Sequence, residues 1–273
     1  MSFYFASVNR NRRSATLDLK RKEALDILYR LAKDSDVLVE NFMPGKADEL
    51  GIGYDTPVAG YGSRGPYSNR AGYDAIAAAE GGLMHITGKR DGPPVRPGLG
   101  MVDMYTGLYM HGATPAALEA RRRTGRGQKL DASSFETQIS LLINVGVNWF
   151  NLGLEGQRFG SAHPSIVPYN TYQTRDHAHL ALGANNDRQF KVLAERIGRV
   201  DLLDDPRFRT NELRVENRTL LDGIVNAVIK ERTVDEWIVA LEGSGLAHGP
   251  VNTIEKDFAH PQATAGRMIE CGP

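Results

Sequence analysis

The first regular pattern of hydrophobic positions along the chain predicts a strand, a helix and a second strand. ATLDL, residues 15–19, alternates apolar and polar positions as a strand does. Residues 22–32 repeat their apolar positions at the spacing of an amphipathic helix. DVLVE, residues 36–40, is a short apolar run bounded by polar residues, which is typical of a buried strand. Together they predict a βαβ unit and therefore a parallel sheet.

Helices dominate the pattern that follows. It predicts a loop with a short helix over 41–53, a helix over 73–84 that ends at a Gly-Gly pair, a long helix over 101–123 closed by Gly125, and a largely apolar helix over 135–150.

The predicted pattern of secondary structure changes near residues 151–157. Residues 169–174 and 179–182 predict a hairpin, and helices are expected over 187–197, 211–231 and 234–242. We therefore expect an α/β protein with a Rossmann-like, parallel-sheet large domain and a smaller α+β domain. The expected domains are residues 1–155 and 156–260, and residues 261–273 are expected to begin a linker that returns to the large domain.

Composition argues against nucleic-acid-binding, membrane and secreted proteins. Lysines and arginines balance aspartates and glutamates, 33 against 33, so no global field favours nucleic acid or an anionic membrane. No apolar run has the length of a membrane span, and the N-terminus lacks the apolar core of a secretory signal. The single cysteine, Cys271, allows no intrachain disulfide and fits a reducing compartment. A cytoplasmic protein is expected, with a mitochondrial location left open.

Asp103 is the one carboxylate in RPGLGMVDMYTGLYMHG, residues 96–112. An aspartate just before a helix is commonly an N-cap, and spacing alone favours that interpretation. The alternative is a nucleophile, because the helix dipole stabilises an ionised carboxylate and such a group can attack an activated acyl carbon. Spacing leaves both interpretations open.

Several motifs in a fixed order carry a resemblance. They are SVNRNRRSATLDLK, DVLVENFMPG, RAGYDAIAAAEGGLMHITG, the stretch around Asp103, RRRTGRGQKLDASSFE, GSAHPSIVPYNTYQTRD, GANNDRQF and GSGLAHGPVNTI. In this order the chain resembles the family III CoA-transferases, which include formyl-CoA transferase and α-methylacyl-CoA racemase. AHPSIVPY and GANNDRQF are most similar to the succinyl-CoA:glutarate CoA-transferase branch.

The resemblance implies a transferase that moves CoA between a (di)carboxylic acyl-CoA, such as succinyl-CoA, and a carboxylate acceptor. Asp103 would be the nucleophile and would carry an aspartyl-CoA thioester between the two half-reactions. CoA would be a substrate, and neither a permanently bound cofactor nor a metal is expected. The residues expected to contact CoA are Leu17, Lys20, Asn41, Phe42, Lys46, Tyr73 and Asp74.

Tyr73 separates two activities of this family. Racemase members carry a histidine at this position, which works with the aspartate as an acid/base pair, whereas this chain reads RAGYD. A transferase is therefore favoured. An acyl-CoA racemase or epimerase and an inactive, shortened CoA-binding protein remain the alternatives.

Other residues receive weaker assignments. Arg96 is a candidate for holding the distal carboxylate of a dicarboxylate, since arginine pairs with carboxylates through two bonds. His163 and His85 are further candidates. GSAHP, residues 160–164, is either a lid or oxyanion contributor or an interdomain turn. Glu49 stands where many family members have an arginine, so Lys46 would have to provide the phosphate contact.

Three parts of the family pattern have no counterpart in this sequence. They are a strand-turn-helix before the match, a further strand between Thr56 and Gly60, and a segment after Pro273. We therefore expect a chain shortened at both ends. Family members form interlocked homodimers, so the resemblance implies a homodimer, with no nucleic-acid or membrane partner.

Overall fold

The computed structural model describes residues 3–43, 45–53 and 65–268. Contacts divide the chain into two compact units, Met1–Arg158 and Phe159–Pro273. The region around Thr56–Gly60 and Cys271 lie outside the described residues. Within the described ranges, we find no helix with both the length and the apolar character that crossing a membrane requires.

In the described residues of the first unit, α-helices are joined by turns and irregular segments. Its helices are α1 (Phe3–Val8), α2 (Lys22–Lys33), α3 (Lys46–Glu49), α4 (Asp74–Glu80), α5 (Leu83–Ile86), α6 (Met101–Thr124), α7 (Ser134–Leu141) and α8 (Ile143–Leu152).

The predicted βαβ unit is confirmed only in its helix, α2. Residues 15–19 and 36–40 have no strand assignment, and the described residues of the first unit contain no β-strand. A parallel strand exists only through hydrogen bonds to a neighbouring strand, which an apolar alternation cannot supply by itself. Side chains of 36–40 instead remain partly in solvent, and Val39 is 80% exposed.

The helix α4 packs against the start of α6. Ala77 and Ala78 of α4 and Val102 of α6 form a buried cluster, around which Leu83 and Met84 pack. The two alanines follow Asp74 by three and four residues, so they share its face of the helix. One face of α4 therefore presents both the Asp74 carboxylate and a small apolar surface, formed by Ala77 and Ala78, to α6.

Gly81 allows α4 and α7 to approach closely. A Cβ atom on Gly81 would lie 2.4 Å from Cγ of Gln138 and 2.6 Å from the carbonyl oxygen of Ala77. The Gln138 amide, which is buried, donates to the Gly81 carbonyl at 3.4 Å. Gly81, the first glycine of the pair predicted to end a helix, therefore also lets α7 lie close to α4.

The predicted helix over 135–150 is two helices. α7 ends at Leu141 and α8 begins at Ile143, whose φ of 38° departs from α-helical geometry. The long helix α6 is confirmed, with Gly125 in the left-handed conformation at its C-terminus. Such a glycine leaves the last carbonyls of the helix accessible to capping bonds without a Cβ clash.

The second unit is an α+β unit built around a three-stranded antiparallel sheet in the order β1-β2-β3. Tyr172 pairs with Leu180 across β1 and β2, and Leu182 pairs with His248 across β2 and β3. Its elements are β1 (Tyr169–Gln173), β2 (His179–Gly183), α9 (Asp187–Arg196), a 3₁₀ turn (Val200–Leu203), α10 (Asn211–Glu216), α11 (Arg218–Ile229), α12 (Val234–Leu241), β3 (Ala247–Pro250), α13 (Ile254–Phe258) and α14 (Pro261–Ala265).

A larger apolar core supports this second unit. Side chains from the sheet and from α9, α11 and α12 converge on one buried cluster, in which Trp237 is 1% exposed. The predicted hairpin is confirmed, and so are the three helical regions, although a break at Asn217 divides 211–231 into two helices.

Arg214 is fully buried beside this core, and every branch of its guanidinium has a partner. Nε donates to the Val167 carbonyl at 2.8 Å, Nη1 to the Phe208 carbonyl at 3.0 Å and Nη2 to Oδ1 of Asp187 at 2.7 Å. The guanidinium also lies 4.4 Å from the centre of the Phe190 ring. A buried charge is tolerated when its donors are satisfied in this way, so Arg214 joins three separate segments of the unit.

Replacing Arg214 tests that role. Arg214→Met should lower the free energy of unfolding by about 3 kcal/mol, because it leaves two buried carbonyls without donors. Urea unfolding of the full chain would be followed by Trp237 fluorescence in a Trp149→Phe background, since the sequence has two tryptophans.

Lys191→Ala is the matched control. Lys191 lies on α9 and faces Glu195 at 4.0 Å, with both side chains exposed. Its loss should cost less than about 0.5 kcal/mol. Equal unfolding midpoints for the two variants would contradict the role assigned to Arg214.

Candidate active site

Asp103 is in the first turn of α6, and its own side chain does not cap that helix. The N-cap position is Gly100, without any side-chain cap bond. The Asp103 side chain is exposed. Among the described residues, none donates a hydrogen bond to its carboxylate. The cap interpretation of Asp103 is therefore wrong, and the carboxylate is available for chemistry.

Asp74 caps α6 from outside the helix. Its Oδ1 accepts the backbone N–H of Val102 at 2.8 Å and that of Asp103 at 3.2 Å. These are two of the N–H groups that a helix leaves without partners in its first turn. The Asp74 side chain is 11% exposed, and its Oδ2 lies 4.0 Å from Nη2 of Arg96. Sequence analysis missed this contact, because its partners are separated by 28 and 29 residues.

The electrostatics of Asp103 follow from this arrangement. Partial burial raises the pKa of its carboxyl above the ordinary value of 3.8, and the negative charge of Asp74 raises it further. The helix dipole acts in the opposite direction, since it stabilises an anion at the N-terminus. Asp103 is thus an exposed carboxylate beside a second, mostly buried carboxylate.

Tyr73 and Asp74 are neighbours in sequence with opposite environments. Tyr73 occupies the N-cap position of α4 with extended backbone, and it is 75% exposed. Asp74 begins the helix and points into the α6 contact. The structure therefore places an exposed phenol next to the buried cap, on the element that positions Asp103.

The residues expected to contact CoA lie on two segments. Leu17 is half-buried and Lys20 is exposed in the segment before α2, while Asn41 and Phe42 are exposed before α3. Their roles stay predictions. No hydrogen bond or ion pair among the described residues joins any of them to Asp74 or Asp103.

Lys46 is paired with the unexpected acid. Its Nζ lies 2.6 Å from Oε2 of Glu49 within α3, and both side chains are largely exposed. An exposed pair of this kind contributes little stability. Lys46 must therefore leave or share Glu49 before it can bind a phosphate group.

The histidine candidates have local partners. His163 belongs to the second unit, where its ring stacks on Tyr169 at 5.3 Å and its Nδ1 accepts the Ser165 N–H at 3.2 Å. His85 of the first unit faces Glu155 at 3.3 Å. A substrate role for either histidine stays a prediction.

The GSAHP segment is tied to β1. The Ser161 hydroxyl donates to Oδ1 of Asn170 and approaches Oγ1 of Thr171, each at 2.6 Å, and the His163 N–H donates to the Tyr169 carbonyl at 3.0 Å. These bonds give the segment a defined path. Neither the lid nor the turn interpretation is tested by them.

The first unit also contains a cavity of about 300 Å³, and Asp103 is not among its lining residues. Segment 36–40 forms one wall, and the middle and end of α6, with Met110, Leu118 and Arg121, form another. Arg121 pairs with Asp36 at 2.6 Å. As for metals, no group of three His, Cys, Asp or Glu residues within the described ranges is arranged to hold an ion.

Comparison with known proteins matches nearly the whole chain to one family. The sequence profile of CoA-transferase family III matches residues 1–271. The chain is 51% identical to an acyl-CoA transferase of Fusarium pseudograminearum, over 98% of this chain and 61% of that protein. It is 43% identical to succinyl-CoA:glutarate CoA-transferase of Mus musculus, over 98% of this chain and 64% of that protein.

Solved structures agree with the sequence comparison. A CAIB/BAIF family protein from Brucella suis superposes with a TM-score of 0.85 at 36% identity, covering 94% of this chain and 71% of that one. Rv3272 from M. tuberculosis gives a TM-score of 0.82 at 26% identity, over 95% and 72% of the two chains. The chain spans less than two thirds of the length of the Fusarium and mouse relatives. It belongs to CoA-transferase family III and has the mixed α/β fold of that family.

Proposed function

We propose that this protein is an acyl-CoA:carboxylate CoA-transferase in which Asp103 is the nucleophile. The single observation that carries the proposal is the state of that side chain: an exposed carboxylate at the start of α6, whose capping task is performed by Asp74. A carboxylate that is not needed to hold its own helix is free to form and break a bond.

The proposed chemistry needs one carboxylate that is acylated by the donor and is regenerated at the end of the cycle. The Asp103 carboxylate attacks the thioester carbonyl of the donor, which gives a mixed anhydride and CoA thiolate. The thiolate then attacks the aspartyl carbonyl, which gives an aspartyl-CoA thioester and releases the donor acid. An acceptor carboxylate displaces the thiolate in turn, and the thiolate attacks the acceptor carbonyl of the second anhydride, which regenerates Asp103.

Substrates of the dicarboxylate class fit the relatives. The mouse relative is named for succinyl-CoA and glutarate, and a relative from Agrobacterium fabrum that is 34% identical is named for succinate and glutarate. We propose succinyl-CoA as donor and a dicarboxylate as acceptor. Arg96 is the candidate for the distal carboxylate, because its side chain is 60% exposed and remains 4.0 Å from its acidic neighbour. A substrate role for His163 stays a prediction.

CoA is proposed to bind as a substrate along the segments that carry Leu17, Lys20, Asn41, Phe42 and Lys46. Phe42 offers an exposed aromatic face, and the two lysines offer point charges to phosphate. Tyr73 lies on the exposed side of the element that holds Asp74, where the thioester would approach. Opening of the Lys46–Glu49 pair is part of this binding.

A homodimer is proposed for the complete protein. Large apolar side chains of α8 and the segment after it stand in solvent in the single chain: Trp149, Phe150, Leu152 and Leu154 are each more than half exposed. Exposed apolar groups gathered on one element are typical of surfaces covered by another chain. A second copy is the occupant that the family resemblance implies.

The nucleophile can be tested by intact mass. Incubation with succinyl-CoA followed by quenching should give an adduct on the wild-type chain and none on Asp103→Asn, since the amide cannot act as the attacking group. Hydroxylamine should remove the adduct, because it cleaves thioesters and anhydrides.

Asp235→Asn is the matched control for this experiment. Asp235 also lies in the first turn of a helix, α12, in the second unit. This variant should form the adduct at the wild-type level. An adduct of equal yield on Asp103→Asn would place the nucleophile elsewhere.

The pH dependence of adduct formation gives a second test. The raised pKa of Asp103 keeps its carboxyl protonated, and therefore unreactive, to higher pH than an ordinary aspartate. The rate should rise with pH, with an acid limb whose midpoint lies above the ordinary aspartate pKa of 3.8. Quenched-flow measurement across that limb, with circular dichroism at each pH to verify folding, checks the expectation. A midpoint at or below the ordinary value would contradict it.

A further inference from the structure

Asp74 has a structural position that sets it apart from a CoA contact. Its side chain is mostly buried, and its Oδ1 is occupied by the N–H groups of Val102 and Asp103. Only Oδ2 remains, and that atom faces Arg96. A carboxylate engaged in this way has little left to offer to a ligand.

We propose that Asp74 is the positioning residue for the nucleophile, holding the first turn of α6 in the orientation from which the Asp103 carboxylate reacts. The inference rests on the proposed function of Asp103. One of the two bonds is to the backbone N–H of Asp103 itself, at 3.2 Å. The position of that peptide group, and so of the Cα–Cβ bond that follows it, depends directly on Asp74.

Apolar packing between α4 and the start of α6 supports the hydrogen bonds that Asp74 accepts. Ala77 and Ala78, on the same face of α4, pack with Val102, which is fully buried and is itself the other backbone partner of Asp74. The Thr106 hydroxyl donates to the Val102 carbonyl at 2.8 Å, within the same turn. The start of α6 is thus held by one polar contact and one apolar contact, both supplied by α4.

The charge of Asp74 has an effect separate from its hydrogen bonds. The negative charge is one cause of the raised pKa of Asp103, after burial. Arg96, with Nη2 at 4.0 Å from Oδ2, offsets part of that charge.

Two substitutions of Asp74 separate the effect of its charge from that of its hydrogen bonds, because both backbone N–H groups donate to a single oxygen. Asp74→Asn keeps an acceptor at Oδ1 and removes the charge, whereas Asp74→Ala removes both.

The experiment combines a structural readout with a chemical one on the full chain. Hydrogen exchange by NMR at the Val102 and Asp103 amides reports the cap, and a carbon-13 titration of the Asp103 carboxyl reports the charge. Adduct formation from succinyl-CoA reports reactivity. Thr233→Ala, which removes a capping box from α12 in the second unit, controls for a general loss of stability.

Asp74→Asn should keep both amides protected, move the Asp103 titration to lower pH and retain most of the adduct rate above the acid limb. Asp74→Ala should expose both amides and slow adduct formation by about 100-fold, as small misplacements of a reacting group do. Thr233→Ala should lower the melting temperature and leave the adduct rate and the Asp103 titration unchanged.

Two results would overturn the inference: protected amides and a wild-type adduct rate in Asp74→Ala, or an Asp74→Asn chain as slow as Asp74→Ala with an unmoved titration. Failure of the proposed function looks different. In that case the wild-type chain would form no adduct, while the exchange and titration differences between the Asp74 variants would persist.

Discussion

The hydrogen bonds that the first turn of α6 donates to one carboxylate oxygen of Asp74 organise the element on which the proposed nucleophile lies. Because the N-cap residue of α6 is Gly100, which has no side chain to accept from the first N–H groups of the helix, the acceptors come from another element. Asp74 of α4 supplies them. The consequence is a division of labour between two acids that sequence spacing alone would not separate, with one buried as a cap and the other left at the surface.

How much of this arrangement sequence reasoning could predict depends on the range of the interaction. The helix α2, the long helix that ends at Gly125 and the hairpin of β1 and β2 were predictable, because periodicity, a left-handed glycine and a short turn act over a few residues. The strands predicted at 15–19 and 36–40 are not formed, because a strand needs a partner strand that local periodicity cannot reveal. The break between α7 and α8 also left no mark in an apolar pattern that runs through it.

The site shows the same division. Local spacing favoured the cap interpretation of Asp103, and only the family resemblance made it the proposed nucleophile; its uncapped carboxylate is compatible with that proposal. The cap interpretation failed because the residue that performs the capping lies 28 residues upstream of Val102, and the sequence carries no local signal for a contact over that distance. Sequence analysis noted Glu49 as an acid in place of an arginine but did not predict that it would pair with Lys46, as it does within α3.

The apolar segment at 36–40 has a consequence for the solution behaviour of the chain. Its peptide groups have no strand partner among the described residues, and Leu38 and Val39 are 58% and 80% exposed. Such a run is a template on which another copy can add a strand, the first step of ordered aggregation. Acidic residues stand at both ends of the run, and like charges brought into register repel one another. The carboxylates of Asp36 and Glu40 therefore disfavour in-register pairing of this run with a second copy of itself.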